Sequence, residues 1–270
     1  MSAIFNYDLF QDQVKSISTE RTRAIIASDE LDRYQLVDVR QPGEYGKGHL
    51  PGALLIPLGE LSKRYSELDF NKDTIVYCRS GVRSKTACQI LTRLGIDRVY
   101  NMTGGITAYR GEQVEGDVEA GLEFFIGSDF DSAYELVFSM EAGLKNFYLT
   151  LADEAANQPE QETLTRLARF EDGHMKRLRK KFGDVYLDPY STITEGGLDV
   201  EEMIAYFGEQ LDSREKILQL AMKLEAQAFD LYSRLARYHQ GEDTETFYQS
   251  MAADEHQHLM SVSKALDNLL

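Results

Sequence analysis

The sequence predicts two domains of different class: an α/β domain with a parallel sheet and flanking helices over residues 1–115, and an all-α four-helix bundle over 131–270. A linker at 116–130 joins them. Three observations predict this. Short β-branched runs alternate with a helical stretch in the first half, and long helical segments fill the second. The charge also divides: residues 1–115 hold 15 Lys+Arg and 15 Asp+Glu, so the remaining 14 basic and 30 acidic residues carry the whole net charge of −16.

A chain of 270 residues with 43% hydrophobic content accommodates two ordinary cores. No run approaches the roughly 20 apolar residues of a membrane span, and Met1 to Phe10 lacks a basic head followed by an apolar stretch. A cytoplasmic protein without membrane partners is expected. The acidic balance excludes nucleic acid as a partner, because phosphate recognition needs a basic face. Two cysteines, Cys78 and Cys88, make no disulfide framework and suit a reducing compartment.

Element by element, YQLVDVR from Tyr34, TIVYC from Thr74 and RVYNM from Arg98 have strand length and β-branched content. Ser84 to Leu94 repeats apolar residues at helical spacing and stops at Gly95, a helix-ending position. Alternating β and α implies a parallel sheet with function at the carboxyl ends of its strands. Residues 111–130 carry four glycines and many acids with no sustained period, which marks the junction. Beyond it four helical segments are expected, at about 131–154, 160–182, 200–239 and 243–268, broken by NQPE, by 183–199 and by HQGED.

Cys78-Arg79-Ser80-Gly81-Val82-Arg83-Ser84 leaves a buried strand and leads into a helix. Such a turn aims several backbone N–H groups and the positive helix end at one spot, and an anion there is stabilised. A thiolate at that spot has a depressed pKa, and Arg79 and Arg83 add positive charge if they turn inward. Cys88, mid-helix beside Ala87, reads as a buried inert thiol. Cysteine-type phosphatases place five residues between cysteine and arginine, whereas here Arg83 follows after four.

The loop instead resembles the active-site loop of single-domain rhodaneses. The upstream stretch Asp38-Val39-Arg40, Glu44-Tyr45, Gly48-His49-Leu50-Pro51-Gly52-Ala53 and Ile56-Pro57 resembles the same family, as does Gly104-Gly105 after the last strand. The resemblance spans roughly residues 14–112. It implies that Cys78 accepts a sulfane sulfur from a small donor, becomes a persulfide held by the loop amides, and passes the sulfur to a thiol or other thiophilic acceptor. Asp38, Arg40, Glu44 and His49 are expected to pair and orient the loop.

The second half repeats one pattern. Glu141, Tyr148, Glu171 and His174 match Glu225, Tyr232, Glu255 and His258, every pair 84 residues apart. That is the mark of a duplicated helix pair. Residues three apart share a helix face, so Glu171 with His174, and Glu255 with His258, each present an oxygen and a nitrogen to one place. Glu141 and Glu225 complete the shell, and four buried carboxylates become tolerable when neutralised by two divalent cations. This is the ligand arrangement of ferritin-like di-iron and di-manganese carboxylate proteins. Asp254, just before Glu255, is placed to orient a histidine, although Phe170 occupies the matching position. Tyr148 and Tyr232 are either core or redox-active neighbours, and His256 is expected on the solvent side.

The stretch 131–268 resembles the rubrerythrin and bacterioferritin branch of the ferritin-like proteins. It departs from rubrerythrin at Ala228, where an extra glutamate is missing, and in having no paired CxxC motifs. The resemblance implies two iron ions, with manganese an alternative, reacting with dioxygen or peroxide and drawing on an external electron donor. It also implies a homodimer. The expected activity is thus a thiosulfate or polysulfide sulfurtransferase of the rhodanese type, coupled to a di-iron site with oxidoreductase or peroxidase chemistry. The alternative is a sulfur-carrier domain with a non-redox metal-binding or dimerisation bundle.

Overall fold

The computed structural model describes residues 14–117, 122, 133–182, 192–194, 199–207 and 211–269. The chain divides into two compact units, Met1–Gly111 and Glu112–Leu270. Most of the expected linker at 116–130 lies outside the described residues. Val114, at the start of the second unit, is buried against Ala226 and Leu259.

The first unit is a five-stranded parallel sheet in the order β1-β5-β4-β2-β3, formed by β1 (Lys15–Ile17), β2 (Tyr34–Asp38), β3 (Leu54–Leu55), β4 (Asp73–Tyr77) and β5 (Val99–Met102). Val37 faces Val76 between β2 and β4, and Ile75 faces Tyr100 between β4 and β5. Strand β4 is buried from Thr74 to Tyr77 with no alternation, the pattern of a strand covered on both faces. Helices α1 (Thr19–Ile26), α2 (Pro42–Tyr45), α3 (Leu61–Arg64) and α4 (Val82–Arg93) lie between the strands, and α5 (Gly105–Ala108) follows the last of them. The three longer strands and α4 lie where the sequence places them. Gly95, at φ +89°, closes the end of α4 in a conformation that side chains avoid.

The second unit is largely helical: α6 (Ala133–Asp153), α7 (Gln158–Phe182), α8 (Val200–Phe207), α9 (Arg214–Tyr238) and α10 (Asp243–Asp267). Helix α6 packs on α7 and α9 on α10, each pair joined by a short turn, while α7 also meets α9. Leu144, Phe147, Leu164, Leu167, Leu218 and Leu224 fill the space between them. The segment 200–239, expected as one helix, is two. Ser213 is extended (φ −154°, ψ 152°) and its hydroxyl accepts from the Lys216 amide, so α9 starts afresh there. Ile193 passes so close over α6 that its carbonyl leaves no room for a side chain at Gly143. Among the described residues no helix is long and apolar enough to cross a membrane.

Candidate functional site

Cys78 sits just past β4, at the carboxyl end of the sheet. The chain reverses through Gly81, at φ +91°, and enters α4 at Val82. The Gly81 amide donates to the Cys78 sulfur at 3.2 Å, and the Ser84 hydroxyl lies 3.5 Å from it. Burial works against a thiolate here, but the Ser84 hydroxyl and the amides of Ser84, Ser80 and Gly81 outweigh it and hold the thiol below its ordinary pKa. At Cys88 burial outweighs a single backbone hydrogen bond, and the thiol is pushed up to about 12.

Helix α5 buttresses this loop. The Ile106 and Thr107 amides donate to the Cys78 and Arg79 carbonyls at 2.9 and 3.0 Å. Gly105, at φ +59°, lies so close beneath them that a methyl group would collide with both carbonyl oxygens. Arg83 makes a two-pronged ion pair with Glu44, 2.7 Å on each side, which holds the Glu44 carboxyl at about 2. Arg79 and Ser80 are exposed, and Val82 is 71% exposed.

The upstream motif forms a frame, as its residues predict. Buried Arg40 donates to both Asp38 oxygens and to the Gly48 carbonyl at 2.6 Å. His49 stacks on Tyr45 at 3.6 Å. Asn101 was not legible as part of this site: its Oδ1 lies 2.6 Å from the Ser84 hydroxyl and shares that hydroxyl's single proton with the Cys78 sulfur, across a tertiary contact that no local spacing encodes.

In the helical unit the structure brings all six candidate ligands together. Glu141, Glu171, His174, Glu225 and Glu255 are at most 1% exposed, while the His258 side chain is 11% exposed. Their atoms form three groups of metal-holding size: Glu141, His174 and Glu255; Glu225, Glu255 and His258; and Glu171 with both histidines. His174 Nδ1 is 2.8 Å from Glu141 and 3.2 Å from Glu255. His258 Nδ1 is 3.4 Å from Glu225 and 3.7 Å from Glu255. Burial opposes charge on Glu141 and on His174, yet their attraction prevails, holding Glu141 below and His174 above its usual pKa. Neither oxygen of Glu225 nor Nδ1 of His258 has a hydrogen-bond partner among the described residues.

The surroundings follow the repeat. Lys145 pairs with Asp172 at 2.8 Å, and at the matching positions Phe229 meets His256 at 5.3 Å between ring centres. His256, expected on the solvent side, is thus 4% exposed. One residue step from Glu255 turns the side chain toward α9, and the apolar Phe229 covers it there. Asp254 reaches His174, 3.9 Å from Nε2. Tyr232 donates to Glu141 Oε1 at 3.2 Å, so it is tied to the cluster, and Tyr148 is buried.

Comparison with known proteins places the first site. Residues 20–112 match the rhodanese-like domain model. A sulfurtransferase of Allochromatium vinosum is 45% identical over 74 residues, 27% of this chain and 69% of that protein. The protein YqhL of Bacillus subtilis is 36% identical over 109 residues, covering 40% and 82% of the two chains. The thiosulfate sulfurtransferase GlpE of Pseudoalteromonas translucida is 30% identical over 95 residues, 35% of this chain and 88% of that one. With its cysteine at a strand end, its loop amides turned on the sulfur and its glycine-backed buttress, the chain belongs to the rhodanese-like family.

Proposed function

We propose that the protein moves sulfane sulfur through a persulfide on Cys78 and carries, on the same chain, a dinuclear iron centre that reacts with dioxygen or peroxide. The sulfur half rests on one observation: the Cys78 sulfur sits 3.2 Å from the Gly81 amide at the start of α4, with the Ser84 hydroxyl beside it. These donors favour the thiolate, which attacks the outer sulfur of a donor such as thiosulfate. The new S–S bond forms as the old one breaks, and sulfite leaves with the electron pair. The same donors then hold the anionic persulfide, as an oxyanion hole holds its charge. An acceptor thiolate takes the terminal sulfur and regenerates the Cys78 thiolate. Thiosulfate-to-cyanide transfer should vanish in Cys78→Ser, and the wild type treated with thiosulfate should gain the mass of one sulfur atom. Transfer that survives the substitution rules the reading out.

The metal half rests on the Glu225 carboxylate and His258 Nδ1, buried without hydrogen bonds. Such groups are costly unless a cation completes them. Glu141, Glu171, His174, Glu225, Glu255 and His258 would hold two divalent ions, whose four positive charges balance the four carboxylates. Iron there would supply redox chemistry toward dioxygen or peroxide, and manganese suits the same ligands. The arrangement resembles the ferritin-like carboxylate proteins. In this reading the chain's own residues exclude water, keep the glutamates in register and, through Tyr232, present a proton beside Glu141. Metal analysis of the purified protein, with visible spectra before and after anaerobic reduction and peroxide addition, tests it. Spectra unchanged by peroxide would leave a metal-binding domain without redox function.

A further inference from the structure

We infer that the two metal positions are unequal: the one at His174 retains its ion, and the one at His258, beside Phe170, exchanges it more readily. This rests on the dinuclear reading above and concerns how the two repeats divide the work. Two of the three ligand groups share Glu255, one completed by Glu141 and His174, the other by Glu225 and His258, while the third, Glu171 with both histidines, belongs to the two positions alike. The first is compact, with His174 Nδ1 at 2.8 and 3.2 Å from its carboxylates. The second is looser, at 3.4 and 3.7 Å.

The difference deepens on the outer side of each histidine. Nε2 of His174 faces Asp254 at 3.9 Å, and Asp254 is tied to Arg177 at 3.1 Å. No hydrogen bond spans that distance, but the negative charge nearby favours the proton on the outer nitrogen and leaves the inner one free to act as a ligand. The repeat places Phe170 opposite Asp254 and Ser261 opposite Arg177, 84 residues apart in each case. Phe170 offers no carboxylate. Its ring stacks on His258 at 4.6 Å and 19°. Phe170 and Ser261 also both line a cavity of about 140 Å³, together with Arg166, Leu167, Leu218 and Val262. Where one half sets an ion pair behind its histidine, the other sets an aromatic ring. His258 is correspondingly the ligand with an 11% exposed side chain, against 0% for His174.

Anaerobic titration of the metal-free full-length chain with cobalt(II), followed by its visible bands and by calorimetry, tests this. Two steps should appear, separated by roughly tenfold or more in Kd, the scale on which such outer partners act. His258→Ala should remove the weaker step and His174→Ala the tighter. Asp254→Asn, at a partly exposed position, should weaken the tighter step roughly tenfold, leave the weaker one in place and recover in Asp254→Glu. In Phe170→Ala a chelator should strip one of the two ions faster. Two equal steps, loss of the tighter step in His258→Ala, or equal weakening of both in Asp254→Asn would each overturn the inequality while leaving a dinuclear site. No cobalt uptake at all would instead sink the dinuclear reading itself.

Discussion

The cysteine loop and the carboxylate cluster are opposite solutions to buried charge. At Cys78 the charge develops on the protein during reaction, and the backbone supplies the donors that meet it. Among the glutamates the charge is there from the start: one histidine and one tyrosine reach Glu141, and nothing among the described residues donates a hydrogen bond to Glu225. The first site is finished by its own fold. In the proposed reading the second takes its balance from bound cations, and a substitution should act on the two in opposite ways.

The largest effect is expected at Cys78 itself, where Cys78→Ser should reduce sulfur transfer below detection and leave bound metal per chain unchanged; a changed metal content would break the separation of the sites. Next comes Gly105→Ala. The added methyl collides with two loop carbonyls at a positive φ, so a cost of about 2–3 kcal/mol in thermal unfolding of the first unit is expected. Transfer should fall with it.

Ser84→Ala removes one donor from the sulfur, and losing a hydrogen bond to a charged group should slow alkylation of Cys78 at neutral pH roughly tenfold. Because the native thiol lies below its ordinary pKa, the wild-type alkylation rate should rise with pH earlier than a free thiol does, and the variant's curve should move up in pH.

Glu225→Gln sharpens the contrast by its change of sign: relieving a buried charge without hydrogen bonds should stabilise the metal-free protein by about 1 kcal/mol and destabilise the metal-loaded one. Melting curves with and without metal show both. The smallest effect is expected of Glu44→Gln, since both partners of the Glu44–Arg83 pair are about a third exposed and solvent screens them; under about 1 kcal/mol is at stake. Glu44 is depressed from 4.5 to about 2, so its contribution should be complete above about 4.5 and lost as the pH falls through about 2.

Legibility in the sequence differed between the regions for physical reasons. The cysteine loop is contiguous, so seven consecutive residues, from Cys78 to Ser84, announce it; Asn101 joins it only through the pairing of β5 with β4. The six candidate ligands span 118 positions, yet the repeat writes one set of three twice at a fixed offset, which is stronger than any local signal. Strands β1 and β3, three and two residues long, are edge strands made by their neighbours' hydrogen bonds and carry no period of their own. The break before α9 had a local sign, Ser213, that the helical spacing on either side overrode. His256 was misplaced because helix geometry gives the angle from Glu255 but not which neighbour stands there.

Lys145 with Asp172, and Phe229 with His256, occupy one fastening point in the two repeats and hold it by different means. An ion pair of partly exposed side chains loosens in brine and is indifferent to moderate cooling, whereas packed rings ignore brine and weaken in the cold. Neither salt nor cold by itself releases both fasteners, and the helices that carry the glutamates stay aligned through either.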